Sequence, residues 1–300
     1  MKKKPSFTKP KKPKKKKNAE SNKWMEEMET NPNELDLREQ DIGAEGAFFL
    51  ASSLLLQKTL ATLSIRQDAI GDGGAQALAR ALAANVTLTN LTLAETSIGV
   101  DGVRALAKSL ETNKTLEVLL LPNNKLGNEG AEIVWKTLAN NHTLKRLSLA
   151  SNGIDDQGIY SLTAALRSNT CLRVLFLDGN QITKSGGKVL AKGLRKNTTL
   201  ARLALSHNNL GPKGIDTIGK ALRNNNTLTE LFLDDNGVAR NQEAAKQLIA
   251  PGTPFGENTG LVFFDLVAGL EEGRALFERN KNLRIERLGS QANILSLSGG

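Results

Sequence analysis

Leucines recur along this chain at offsets 1, 4 and 6 of a unit that restarts every 28 residues. Successive units open TLATLSI at Thr59, TLTNLTL at Thr87, TLEVLLL at Thr115, TLKRLSL at Thr143, CLRVLFL at Cys171, TLARLAL at Thr199 and TLTELFL at Thr227. A worn copy precedes them, with Leu35 and Leu37 at the matching offsets. In the unit at Thr143, Leu147 and Leu149 are two apart, the period of a strand with one face buried. Asn152 and Ile154 follow. Then Gly158, Ile159, Leu162, Leu166 and Asn169 take three-to-four spacing, which predicts a short amphipathic helix ending near an Asn. Each unit is therefore strand, loop, helix and corner. None can bury its leucines alone, so neighbours must stack around a continuous core.

Three polar columns accompany the leucines. Gly46, Gly74, Gly102, Gly130, Gly158, Gly186 and Gly214 stand where the chain enters each helix, a position for close backbone approach. Asn85, Asn113, Asn141, Asn169, Asn197 and Asn225 stand at the helix exits, where a left-handed residue is expected. Asn124, Asn152, Asn180, Asn208 and Asn236 follow the strands and are expected to satisfy buried backbone groups. Gln40, Asp68 and Thr96 replace them in the first three units, which predicts a looser start to the stack.

The 28-residue unit, with its LxxLxLxxNxL segment and a full helix after the Gly, resembles the ribonuclease-inhibitor subtype of leucine-rich repeat. The same subtype occurs in Ran GTPase-activating proteins and in the sensor arms of NOD-like receptors. The resemblance implies an α/β fold, a leucine-rich repeat solenoid or horseshoe with a parallel concave sheet and outer helices. Its reach sets the expected organisation: a disordered lysine-rich tail over 1–20, a capping helix over 21–30 and eight repeats over 31–254. A C-terminal cap over 255–288 and a frayed end over 289–300 complete it. Trp24, Met25 and Met28 fit the first cap; Leu261–Leu266 reads as a buried strand and Glu271–Phe277 as a helix of the second. Resemblance to the Ran GTPase-activating family implies a regulator of a small GTPase as one function, although the sequence carries no acidic run at its C-terminal end.

The formal charge of +9 is localised. Residues 1–17 hold 10 lysines and no acid, and the remainder balances 30 basic against 31 acidic side chains. The tail is too charged and too poor in apolar residues to fold. Its run Lys11, Lys12, Lys14, Lys15, Lys16 and Lys17 has the form of a nuclear-localisation patch. It reads equally as an arm for nucleic acid or acidic protein, or as a solvated tail. No apolar stretch reaches the ~18 residues of a membrane span, and no secretory signal pattern is present. Cys171 is the single cysteine, which points to a reducing compartment. The expected location is nuclear or cytoplasmic. The Asn-x-Thr sequons arise from the repeat corner itself and are weak signs of glycosylation.

Chemistry is sparse. His142 and His207 lie 65 residues apart, so no triad or Cys/His metal site is expected. Asp234-Asp235-Asn236-Gly237 lacks the later positions of a calcium loop, and Gly71-Asp72-Gly73-Gly74 is a helix start with no phosphate-cradle motif around it. No cofactor or metal is expected, and the chain reads as a non-enzymatic scaffold, monomeric unless held in an assembly.

The remaining information lies on the strand faces. If Leu147 and Leu149 point inward, Arg146 and Ser148 point out, and so on through every unit. The central outward column then reads Asp36, Ser64, Thr92, Leu120, Ser148, Phe176, Ala204, Phe232, with Val118 and Val174 beside it. Apolar groups gathered in this way mark a partner site unless the C-terminal segment covers them. Arg38 and Arg66 sit at the first end, Arg146 and Arg202 within, and Asp178, Glu230, Asp234 and Asp235 toward the last. Lys184, Lys188, Lys192 and Arg195 form a separate stripe on the sixth outer helix. The candidate partner surface is therefore Val118, Leu120, Val174, Phe176, Phe232, Arg146, Arg202, Asp178 and Asp234. A protein partner is the leading expectation, with the small-GTPase regulator and a structural subunit of a ribonucleoprotein or cytoskeletal assembly as alternatives.

Overall fold

The computed structural model describes Trp24, Glu26, Glu27, residues 30–238, Gln247, Leu248, Ala250, residues 253–255, Leu261 and Phe263–Asp265. The lysine tail, Met25, Met28, the segment expected to be helical over Glu271–Phe277 and the end over 289–300 lie outside the described residues.

The inward leucines of each unit form a strand. These are β1 Glu34–Arg38, β2 Thr62–Arg66, β3 Asn90–Ala94, β4 Val118–Leu120, β5 Arg146–Ser148, β6 Val174–Phe176, β7 Arg202–Ala204 and β8 Glu230–Phe232, with β9 Phe263–Asp265 after them. They pair in sequence order as one parallel sheet. Every pair from β1 to β8 is offset by one 28-residue unit, as in Leu147↔Leu175. Between the strands run α1 Gly43–Leu56, α2 Gly71–Ala84, α3 Val100–Thr112, α4 Gly127–Leu138, α5 Asp156–Ile159, α6 Leu162–Ser168, α7 Lys184–Leu194 and α8 Gly211–Leu222. Leu144, Leu147, Leu149, Ile154, Ile159, Leu162 and Leu166 of one unit are all buried between the layers, as their spacing predicts. Strands pack about 4.8 Å apart and helices about 8–10 Å apart, so the stack curves with the sheet inside. The fold is a leucine-rich repeat solenoid.

Side-chain amides tie each unit to its neighbour. Asn180 Oδ1 accepts the N–H groups of Asn152 at 3.1 Å and Ile154 at 3.0 Å, while its Nδ2 donates to the carbonyls of Leu149 and Leu177 at 3.0 and 2.9 Å. Asn124 makes the same four contacts, to Thr96, Ile98, Leu93 and Leu121. Asp68 accepts from Gln40 and Ile42 in the same way, but as a carboxylate it has no proton to give to a carbonyl. Thr96 has one hydroxyl proton for two acceptors, Asn124 Oδ1 at 3.1 Å and Leu93 O at 3.3 Å. The side chain at this position makes fewer bonds in the first repeats. However, β1, β2 and β3 pair with one another over five residues where later strands pair over three, so the start of the stack is not looser in its backbone ladder.

The helix-exit asparagines differ from expectation. Asn85 has φ −76° and ψ 136°, which is extended and not left-handed. Its amide is what the position needs: Oδ1 accepts from Thr87 and Leu88, and Nδ2 donates to Leu54 O of the preceding helix. Asn113 and Asn169 repeat the arrangement. A left-handed residue instead follows each of β1 to β8, at Glu39, Gln67, Glu95, Asn123, Ser151, Gly179, His207 and Asp235, with φ between 53° and 65°. Others stand at helix entries such as Gly43, Gly71, Gly127 and Gly211. Each of the residues after the strands, from Glu39 to His207, gives its N–H to a carbonyl of the next unit, so the stack holds a conformation that side chains other than Gly and Asn disfavour.

Two local features refine the pattern. A Cβ at Gly102 would meet Asp72 Oδ1 at 2.6 Å, the atom that accepts the N–H groups of Gly99 and Gly102 from the previous unit. The glycine admits a neighbour's carboxylate as well as its backbone. The outer helix of the fifth unit, expected to be continuous, is split into α5 and α6. Buried Trp135 donates its indole N–H to Gly158 O at 2.7 Å, taking the carbonyl that an unbroken helix would pair with Leu162 N–H.

The ends carry large apolar groups. Trp24 is buried beside Phe49, with ring centroids 6.2 Å apart. Phe255 and Leu261 are buried at the other end, with the Phe255 ring against Gly219, and β9 extends the sheet beyond β8.

Asn180→Ala strips partners from two buried N–H groups and two carbonyls, so it should cost about 2–4 kcal/mol in urea unfolding. A loss below about 0.5 kcal/mol would show that the amide ladder does not hold the stack together.

Candidate functional site

The sheet register sets the outward side chains in three columns that run along the stack. The central column holds Leu120, Ser148, Phe176, Ala204 and Phe232 on adjacent strands. Leu120, Phe176 and Phe232 are half-buried, while Ser148 and Ala204 are only 6% and 5% exposed. Large side chains flank each small one along the column, which leaves a shallow depression over Ser148 and another over Ala204. Val118 and Val174 are half-buried beside this column, and the same register places exposed Arg146 between them.

The two arginines expected at the site differ. Arg202 Nη2 lies 2.5 Å from Glu230 Oε2, and its guanidinium carbon is 6.0 Å from the centre of the Phe232 ring. Its charge is met within the face. Arg146 forms no ion pair among the described residues. At the first end, Arg66 pairs with Asp36 at 3.8 Å and donates to Ser64 Oγ, while Arg38 donates to Gln67. Basic character there is largely answered by neighbouring side chains.

The opposite end is acidic at the edge where the strands finish. Asp178 Oδ1 accepts the N–H of Ser206 at 3.0 Å, and the Ser206 hydroxyl donates to Asp234. His207 Nδ1 is 2.9 Å from Asp235 Oδ2, and its Nε2 is 3.9 Å from Asp234. Burial pushes the Asp178 carboxyl up from its ordinary value and the Asp234 charge adds to the shift, against the pull of the Ser206 N–H bond and His207. The hydrogen bond to Asp235 pushes the His207 imidazole up, helped by Asp234 and Asp178. The structure thus brings Asp178 and Asp234 together around Ser206, a residue that sequence reasoning did not single out. Among the described residues no group of His, Cys, Asp and Glu is arranged to hold a metal.

Other sequence candidates fall elsewhere. Lys184, Lys188, Lys192 and Arg195 are exposed on and just beyond α7, in the helix layer, away from the sheet columns. The sequon asparagines are buried with Nδ2 committed to backbone carbonyls, which leaves no amide free for a glycan. Cys171 is half-buried, its Sγ donating to His142 O at 2.9 Å. Sequence reasoning also missed an apolar outer surface on α1, where Phe48, Leu55 and Leu56 are exposed, with Val86 exposed in the next corner. Its signal was the run GAFFLASSLLL, apolar on both helix faces.

With the fold and this surface in view, the class is that of a repeat solenoid presenting one long sheet face. A family model described as Leucine Rich repeat matches residues 140–162, 168–191 and 196–219. No curated protein matches the chain. Among solved structures, the actin-binding site 2 domain of leiomodin-1 is similar at 23% identity, covering 65% of this chain and 96% of that one with a TM-score of 0.43. The tropomodulin C-terminal domain of Caenorhabditis elegans is similar at 19% identity, covering 63% of this chain and 98% of that one with a TM-score of 0.41.

The folded-state shift at Asp178 is upward from 3.8, so folding opposes its ionisation. The group favours the fold most below its unfolded value, and that contribution is lost as pH rises through the folded value. Asp178→Asn, which can still accept from Ser206, should therefore raise the melting temperature at pH 7, with the gain shrinking toward pH 3. An equal gain at both pH values would contradict this origin.

Proposed function

We propose that this protein is a non-enzymatic protein-binding scaffold whose partner seats on the sheet face. The observation that carries the reading is the row of half-exposed apolar side chains, Val118, Leu120, Val174, Phe176 and Phe232, on a face whose margins are charged. Leu120, Phe176 and Phe232 span about 19 Å at the usual strand spacing, enough for a secondary-structure element to lie across them. Arg146, Arg202, Asp178 and Asp234 border the row and set which partner charges are accepted. The 28-residue unit with a helical segment in each described repeat supports the ribonuclease-inhibitor subtype.

Phe176→Ala combined with Phe232→Ala should abolish partner capture in affinity purification, because buried aromatic anchors typically contribute about 2 kcal/mol or more each. The rings are half-buried, so the double variant also loses some stability, and Phe176→Leu serves as the control that keeps bulk while weakening capture less. Retention of the same partners by the folded double variant would move the site elsewhere.

In this reading the lysine run Lys11–Lys17 directs the protein to the nucleus or anchors it electrostatically to nucleic acid or an acidic protein. Deleting residues 1–17 should leave the melting temperature unchanged and alter nuclear accumulation or salt-sensitive binding. A large loss of stability would show instead that the tail belongs to the fold.

A further inference from the structure

We propose that the occupant of the sheet face is an amphipathic α-helix carrying apolar side chains seven residues apart and a basic flank. This rests on the reading of the sheet face as the binding surface and specifies its partner. Large and small residues alternate on the central column, so Ser148 and Ala204 form the floors of two grooves, walled by Leu120, Phe176 and Phe232. The floors are two strands apart, about 10 Å. Seven residues of α-helix advance about 10.5 Å and return the side chain nearly to the same face, so positions i and i+7 drop into both grooves. An extended segment laid along the stack does not fit. Three of its residues cover about 10 Å but put the third side chain on the opposite face, whereas two or four cover about 7 or 13 Å. The span from Leu120 to Phe232, about 19 Å, corresponds to about 13 residues of helix.

Charge selects one flank of that helix. Beside Phe176 and Phe232 the strand ends carry Asp178 and Asp234, bridged by buried Ser206, with exposed Asp235 just beyond. The acid on the other edge, Glu230, is already paired to Arg202. Among the described residues no Lys or Arg pairs with the carboxylates at this edge, which are met by the Ser206 N–H and hydroxyl and by His207. Lysine or arginine on the side of the helix facing this edge relieves the repulsion between Asp178 and Asp234 and adds charge-assisted hydrogen bonds.

The test is selection of a displayed random library of 16-residue peptides on the immobilised full chain. Recovered peptides are then measured by fluorescence anisotropy against Ala204→Trp and Ser148→Trp, each of which fills one groove, and against Asp234→Asn. The two groove variants are checked by circular dichroism, and either one that folds suffices. The expected peptides have apolar residues at seven-residue spacing with Lys or Arg on one flank, become helical on binding, and lose about tenfold or more in affinity when a groove is filled. Asp234→Asn should weaken them several-fold and flatten their salt dependence. Groove-dependent peptides that are acidic, proline-rich or alternate with period two would overturn the helix while leaving the sheet face as the binding surface. Peptides indifferent to both filled grooves and to the Phe176→Ala, Phe232→Ala pair would overturn both.

Discussion

Everything in this fold depends on buried side-chain amides that cross from one repeat to the next. A solenoid unit buries loops and corners whose backbone groups have no partner within the unit, and an unmet buried N–H or C=O costs about 1–3 kcal/mol. Asn180 answers two N–H groups and two carbonyls, and Asn169 closes its own corner while reaching back to Leu138 and Asn141. Each repeat is completed by its neighbour. The energetics are therefore those of a chain of nearest-neighbour interfaces.

That coupling also fixes the surface. Because the ladders hold each unit one 28-residue step from the last, side chains fall into straight columns across the sheet. A large residue in every second strand becomes a ridge, and the small residues between become groove floors. Strand ends are pinned by the same bonds, so Asp178, Ser206 and Asp234 meet at one edge. The surface is made by the scaffold, with no loop insertion needed to build it.

Departures from the repeat show where local packing overrides it. Trp135 is large enough to reach the next outer helix, and its indole N–H needs an acceptor in the dry interior, so it takes one from that helix and splits it. The left-handed turn after each strand sits on Glu, Gln, Ser and His as well as on Asn and Gly. The conformation is imposed by bonds to the next unit, and residue type alone gives little sign of it.

The leucine period by itself determined the stack, the strand and helix positions, the inward columns and the identity of the outward ones. Burial of the repeat's apolar groups is periodic and local, so one-dimensional spacing encodes it, although it did not show the exposed Phe48, Leu55 and Leu56 of α1. It likewise placed Phe176, Phe232, Asp178 and Asp234 on one face. Only the tertiary structure decided how those outward residues are used. The half-burial of the rings, the capture of Arg202 by Glu230 and Phe232, and the meeting of Asp178 with Asp234 around Ser206 are contacts between residues one or two units apart. Such contacts depend on side-chain reach and on the register of neighbouring strands, which exist only once the repeats have stacked.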